Sequence, residues 1–119
     1  MKKMLSMLFV AFFMAGCADA SGRAIEEFKP SKDNEWHIVV FYENDPPEEA
    51  YQSSLNGIKV FLARKNIAAK VSYQKIEDQK NYRKLLQVEP QQIVVFDYKG
   101  IRLKARSPEV LEGMVLQLN

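Results

Sequence analysis

The chain has 119 residues, with seventeen Lys and Arg against fifteen Asp and Glu, a single histidine and a single cysteine. This length suffices for one small domain. One cysteine excludes a disulfide within the chain, and near-balanced charge argues against the net basic field that nucleic acid binding needs.

Lys2 and Lys3 precede an apolar run from Met4 to Met14, and Ala15-Gly16 lead into Cys17. A positive start, a short apolar stretch and small residues before a cut site make a secretory signal peptide. The run falls short of the ~20 apolar residues of a spanning helix. Met14-Ala15-Gly16-Cys17 resembles the lipobox of bacterial lipoproteins, with Met14 where leucine is usual. That resemblance implies a diacylglyceryl group on the Cys17 thiol (with palmitate-type chains), cleavage after Gly16, and a membrane as partner through the lipid. The expected location is the extracytoplasmic side of the cell membrane. In a Gram-negative host, Ala18 in place of an aspartate would permit the outer membrane. Residues 1–16 are thus expected to be a lipoprotein signal peptide. Losing Lys2 and Lys3 leaves fifteen basic and fifteen acidic side chains, so the mature chain is formally neutral.

Residues 17–34 read as the lipidated cysteine and a flexible tether, since Ser, Gly, Lys, Asp and Glu outnumber apolar residues there. A domain is expected over 35–119. His37-Ile38-Val39-Val40-Phe41-Tyr42 is a β-branched and aromatic run suited to a strand covered on both faces. Asp45 as cap, Pro46 and Pro47 in the first turn and Glu48-Glu49 at the positive end of the dipole predict a helix start. Tyr51, Leu55, Ile58, Phe61 and Leu62 continue it at helical spacing to about Lys65. Ala69, Val71 and Tyr73 alternate with Lys70, Ser72 and Gln74, predicting a strand exposed on one face. A short helix is predicted over Gln79–Gln87, showing Tyr82, Leu85 and Leu86 to the core.

Ile93-Val94-Val95-Phe96 is a second fully apolar strand, and Asp97-Tyr98-Lys99-Gly100 is a turn. Ile101, Leu103 and Ala105 alternate with Arg102, Lys104 and Arg106, predicting an edge strand with its three basic residues on one face. They could contact lipid headgroups or an acidic partner, although charge on an edge strand also simply blocks aggregation. Ser107-Pro108-Glu109 begins a last helix, with Val110, Leu111, Met114, Val115 and Leu118 expected inward.

The two all-apolar strands belong at the centre and the two alternating ones at the edges. A right-handed crossover and a short final turn then give an α/β fold: a four-stranded mixed sheet, order 2-1-3-4, with helices on both faces. Over 35–119 this resembles the thioredoxin fold. Aligned on Val39-Val40-Phe41-Tyr42, the family's Cys-x-x-Cys positions fall on Pro46 and Glu49, and Gln91 takes the position of its cis-proline, beside Pro90. The resemblance therefore implies a thioredoxin-like domain without its redox motif, and thiol–disulfide exchange has no thiolate to use. The chain also shows a faint likeness to small peptidoglycan-associated lipoproteins of spore-forming bacteria.

Tyr42, Glu43, Asp45, Pro46, Pro47, Glu49, Pro90 and Gln91 are expected to meet at one end of the sheet, as an aromatic and proline surface with an acidic rim. In thioredoxin-like proteins that surface receives an extended peptide. The carboxylates Glu43, Asp45, Glu48 and Glu49 match no calcium-loop spacing, and they suit a helix N-terminus without any ligand. His37 has no nucleophile placed with it by a recognisable motif. No catalytic residue, metal or cofactor is therefore expected. The primary expectation is a non-enzymatic envelope module binding a protein, peptide or peptidoglycan. The alternatives are a small non-thiol enzyme using Glu or His37, and a structural accessory subunit of an envelope complex.

Overall fold

Ile38–Phe41 and Ile93–Phe96 are apolar at every position, and a strand of that kind is stable only with a layer on each face. The computed structural model describes residues 20–118 and supplies both layers. Its elements are a helix over 20–28 (α1), β1 (Glu35–Tyr42), α2 (Glu49–Arg64), β2 (Ala68–Lys75), α3 (Tyr82–Leu86), β3 (Gln92–Asp97), β4 (Gly100–Ala105) and α4 (Pro108–Leu116). The sheet order is β2-β1-β3-β4, with β1–β2 parallel and β3–β4 antiparallel as the sequence predicts, and the central pair β1–β3 is antiparallel as well.

Side chains leave successive strand positions on opposite faces, so each central strand feeds two cores. Ile38, Val40, Ile93 and Val95 pack with Leu55, Ile58 and Leu62 of α2 and Leu111 and Val115 of α4. Val39, Phe41, Val94 and Phe96 pack on the other face with Ala24 and Phe28 of α1 and Tyr82 and Leu86 of α3.

The first correction concerns α1. Residues 20–28, expected within a flexible tether, are helical and complete the second core. The Phe28 ring meets Phe41, Tyr82 and Phe96 at centroid distances of 5.6, 5.4 and 5.3 Å. Its neighbour Glu27 accepts hydrogen bonds from the Tyr82 hydroxyl on both carboxylate oxygens (2.9 and 2.7 Å) and from Lys80 Nζ (2.9 Å). Partial burial alone would raise the Glu27 carboxyl, but the Lys80 and Tyr82 hydrogen bonds outweigh it and hold the pKa below its usual value.

Three local expectations also change. Helix α2 starts at Glu49, and Asp45 does not cap it. A residue before proline is pushed out of the helical region, so the Pro46-Pro47 pair disfavours helix at Asp45 and Pro46 and delays its start. In the third helix, the Asn81 side chain accepts from the Lys84 amide (3.3 Å), and the helix runs only over Tyr82–Leu86. In α4, Ser107 caps the start and Leu111 and Val115 are buried as expected, but Val110 and Met114 are exposed.

Strand β4 departs most from its sequence pattern. Leu103 pairs with Val95 but Ile101 with Phe96, leaving Arg102 as an extra residue in a β-bulge. The bulge breaks the alternation at Arg102, so Arg102 and Lys104 do not share a face, and Arg106 lies beyond the end of the strand at Ala105. Arg102 lies over the Trp36 ring (4.9 Å) and pairs with the buried Asp97 (3.3 Å). Lys104 Nζ donates to the Leu86 and Gln87 carbonyls (2.7 and 3.0 Å) on the opposite face. Asp97 Oδ1 also accepts the Lys99 and Gly100 amides (2.9 and 3.2 Å), closing the β3–β4 turn.

Candidate functional site

Phe41 pairs with Gln92 in the antiparallel β1–β3 ladder, so the loop leaving β1 and the loop entering β3 must emerge at the same end of the sheet. The Gln91 amide donates to the Phe41 carbonyl at 2.6 Å and draws them together. Gln91 has φ of 65°, and residues 89–92 fold on themselves, with the Gln92 amide on the Glu89 carbonyl (3.0 Å) and the Glu89 amide on Gln92 Oε1 (2.9 Å). No cis peptide bond occurs among the described residues, so Pro90 is trans, and Gln91, where the resemblance led to comparison with a cis-proline, is a left-handed glutamine.

These loops enclose a cleft of about 530 Å³ lined by Glu43, Asn44, Asp45, Pro46, Pro47, Glu48, Pro90 and Gln91. Across Pro47, Glu48 and Gln91 lies a second cleft of about 390 Å³ that adds Tyr51, Arg106 and Glu109. Of the residues expected here, six come together as predicted: Glu43, Asp45, Pro46, Pro47, Pro90 and Gln91. Tyr42 is half-buried and lines neither cleft, being paired with Lys75 at the end of β1. Glu49 is exposed in the first turn of α2 and also lines neither. Arg106 joins the second cleft, away from Arg102 and Lys104.

Two supporting residues escaped sequence reading. Tyr51, read only as part of the apolar stripe of α2, donates its hydroxyl to the Gln91 carbonyl at 3.0 Å. Burial, with Tyr73 and Glu109 nearby, pushes this phenol up to about 12, so it stays a donor. Its position midway between apolar core and proline-rich loop was the available signal. Arg83 of α3 holds Glu43 at the rim (2.9 Å), while its buried Nε lies 3.7 Å from Glu77, beyond hydrogen-bond reach. Nothing in the local pattern of α3 announces that reach.

The acidic residues surround the cleft without converging. Among the described residues no group of three or more His, Cys, Asp or Glu side chains could hold a metal ion. Cys17 lies outside the described residues. None of the described helices is long and apolar enough to cross a membrane.

His37 is a structural link between α1 and β2. Its Nδ1 lies 2.7 Å from the Phe28 carbonyl and its Nε2 2.6 Å from Ser72 Oγ. A carbonyl only accepts, so Nδ1 carries the proton, and in the neutral ring Nε2 accepts from the Ser72 hydroxyl. Burial lowers the pKa below 6.5 despite the Phe28 carbonyl, and Lys70 lowers it further. The unfolded chain therefore binds this proton first. The stability gained from neutral His37 is complete above 6.5 and is lost as pH falls through the folded-state pKa. Urea midpoints measured at about pH 8 and about pH 5 are expected to fall on acidification, with a smaller fall in His37→Gln. Equal falls in both proteins would remove His37 as the cause. Glu27 acts in a separate window, its contribution fading only as pH drops below 4.5.

Comparison with protein-family models, with curated proteins and with solved structures yields no match to this chain. Its chemistry is therefore read from its own residues.

Proposed function

We propose that this chain is an exported lipoprotein, held to the membrane through Cys17, whose domain is a thioredoxin-like module without redox chemistry that binds a protein or peptide at the envelope. The strand order and the distribution of helices support the thioredoxin-like reading: α2 and α4 pack on one face, α3 on the other. The proposed binding site is the cleft between the 43–48 loop and Pro90-Gln91. The observation that carries it is the joining of these loops by the Gln91 amide, which leaves an open, proline-walled groove where the family's reactive thiols would sit.

Loop geometry also sets how a ligand would be held. The Gln91 amide is engaged by Phe41 and its carbonyl by Tyr51, so strand-like pairing with a peptide at this residue is blocked. Recognition falls instead to the proline rings, the Gln91 side chain and the carboxylates of Asp45 and Glu48. That chemistry suits an extended segment carrying lysine or arginine.

A second reading, an accessory subunit of an envelope complex, is favoured by a different surface. Between α2 and α4 runs a groove of about 390 Å³ lined by Gly57, Ile58, Phe61, Val115 and Leu116, among others, and Val60, Met114 and Leu116 are exposed on the same two helices.

Photo-crosslinking amino acids placed at Asp45, Met114 and the exposed Lys59 of the lipoprotein in its host separate the two. The peptide-binding reading expects a discrete adduct at Asp45, reduced several-fold by Glu48→Lys and absent at Lys59. An adduct at Met114 with none at Asp45 would replace it with the accessory-subunit reading.

A further inference from the structure

We propose that the β3–β4 turn, with Tyr98 and Lys99, is the membrane-facing end of the domain and rests on an anionic bilayer surface, so that the 43–48 cleft points away from it. This rests on the reading of Cys17 as the lipid anchor and adds an orientation to it. Only Ala18 and Asp19 lie between Cys17 and residue 20, where the described helix begins. Three residue steps span at most about 10 Å, so the anchor lies close to the first turn of α1, a helix held in the second core by Ala24 and Phe28.

The path of α1 is set by two contacts one turn apart, at Ile25 and Phe28. The Phe28 carbonyl is held by His37 on the β2 side of the sheet. Ile25 lies at the other side, its Cγ2 3.6 Å from the position of a Cβ on Gly100, and it packs in the same core as Ile101. The helix therefore crosses the sheet from β4 toward β1 and β2, with Ile25 over Gly100 and its first residue five positions, about 7.5 Å, further back along the axis. The anchor thus lies within about 18 Å of the β3–β4 turn, on the β4 side of the domain.

The turn has the chemistry for that place. Tyr98 is 41% exposed, and Lys99 is exposed with its Nζ 5.6 Å from the Tyr98 ring. A tyrosine carries an apolar body and a polar tip, and a lysine keeps its charge in the headgroups while its stem lies on apolar surface. Anionic lipid complements Lys99 and the rigid Asp97-held turn presents it. Gln92, at the far end of β3, carries the cleft roughly 17–20 Å away.

The test uses the lipidated protein, purified from the membrane fraction and reconstituted in vesicles of phosphatidylcholine and phosphatidylglycerol in equal parts. Lys99→Cys and Asp45→Cys are each labelled with an environment-sensitive dye, which the blocked Cys17 cannot take up. Spin-labelled headgroups are expected to quench the dye at 99 several-fold more than at 45. A second measurement needs no substitution: a water-soluble amine-acetylating reagent should modify the exposed Lys75, at the opposite end, several-fold faster than Lys99. Equal quenching together with equal acetylation would overturn the orientation alone. A mature protein whose mass shows no lipid would overturn the anchor and this orientation with it.

Discussion

Phe28→Ala is expected to lower the unfolding free energy by about 3–5 kcal/mol, the cost of truncating a core phenylalanine to alanine. The ring is 7% exposed and is surrounded by Phe41, Tyr82, Phe96 and His37, residues that cannot all move in to fill its space. Small domains have roughly 5–15 kcal/mol in total, so the loss is a large share of the fold. Urea and thermal unfolding of the mature domain measure it directly. If residues 20–28 were a solvated linker, the same change would stay within about 0.5 kcal/mol, and that result would remove α1 from the domain.

Cys17→Ser should have the second large effect, and on location instead of stability. Each buried methylene of a lipid chain contributes about 0.8 kcal/mol, and two chains hold a protein stably where one does not. Without the thiol neither chain can be attached. The variant is expected to leave the membrane fraction, to take up no labelled fatty acid, and to keep the unfolding midpoint of the parent. Recovery of Cys17→Ser in the membrane at high salt would sink the lipoprotein reading.

The sheet order was legible because burial on two faces and burial on one leave different patterns. Val39-Val40-Phe41 and Val94-Val95-Phe96 have no polar residue to turn outward, so both had to be central, and Lys70, Ser72 and Gln74 placed β2 at an edge. The meeting of the two cleft loops followed from that topology, since antiparallel neighbours share ends. Helix α1 was missed because its stripe is built from small residues. Ala20, Ala24, Ile25 and Phe28 do recur at helical spacing, but alanines carry little hydrophobic signal against Arg23, Glu26 and Glu27. The bulge at Arg102 was invisible because Ile101, Leu103 and Ala105 keep perfect alternation. Only the pairing with β3 shows the extra residue. Tyr51 and Arg83 were missed because each acts on a partner 40 positions away in the chain.

The place of α1 also bears on when the domain can fold. Its contacts are among the more distant along the chain: Glu27 closes onto Tyr82 across 55 positions, and Phe28 onto Phe96 across more. Contacts of this separation form late, since a long loop must be closed before they return any energy. If the chain is exported from its N-terminal end, as the lipoprotein reading proposes, Phe28 would cross the membrane before β3 is present to receive it. On that reading the segment that crosses first would be among the last to find its place, and the second core could not close until β3 had crossed as well.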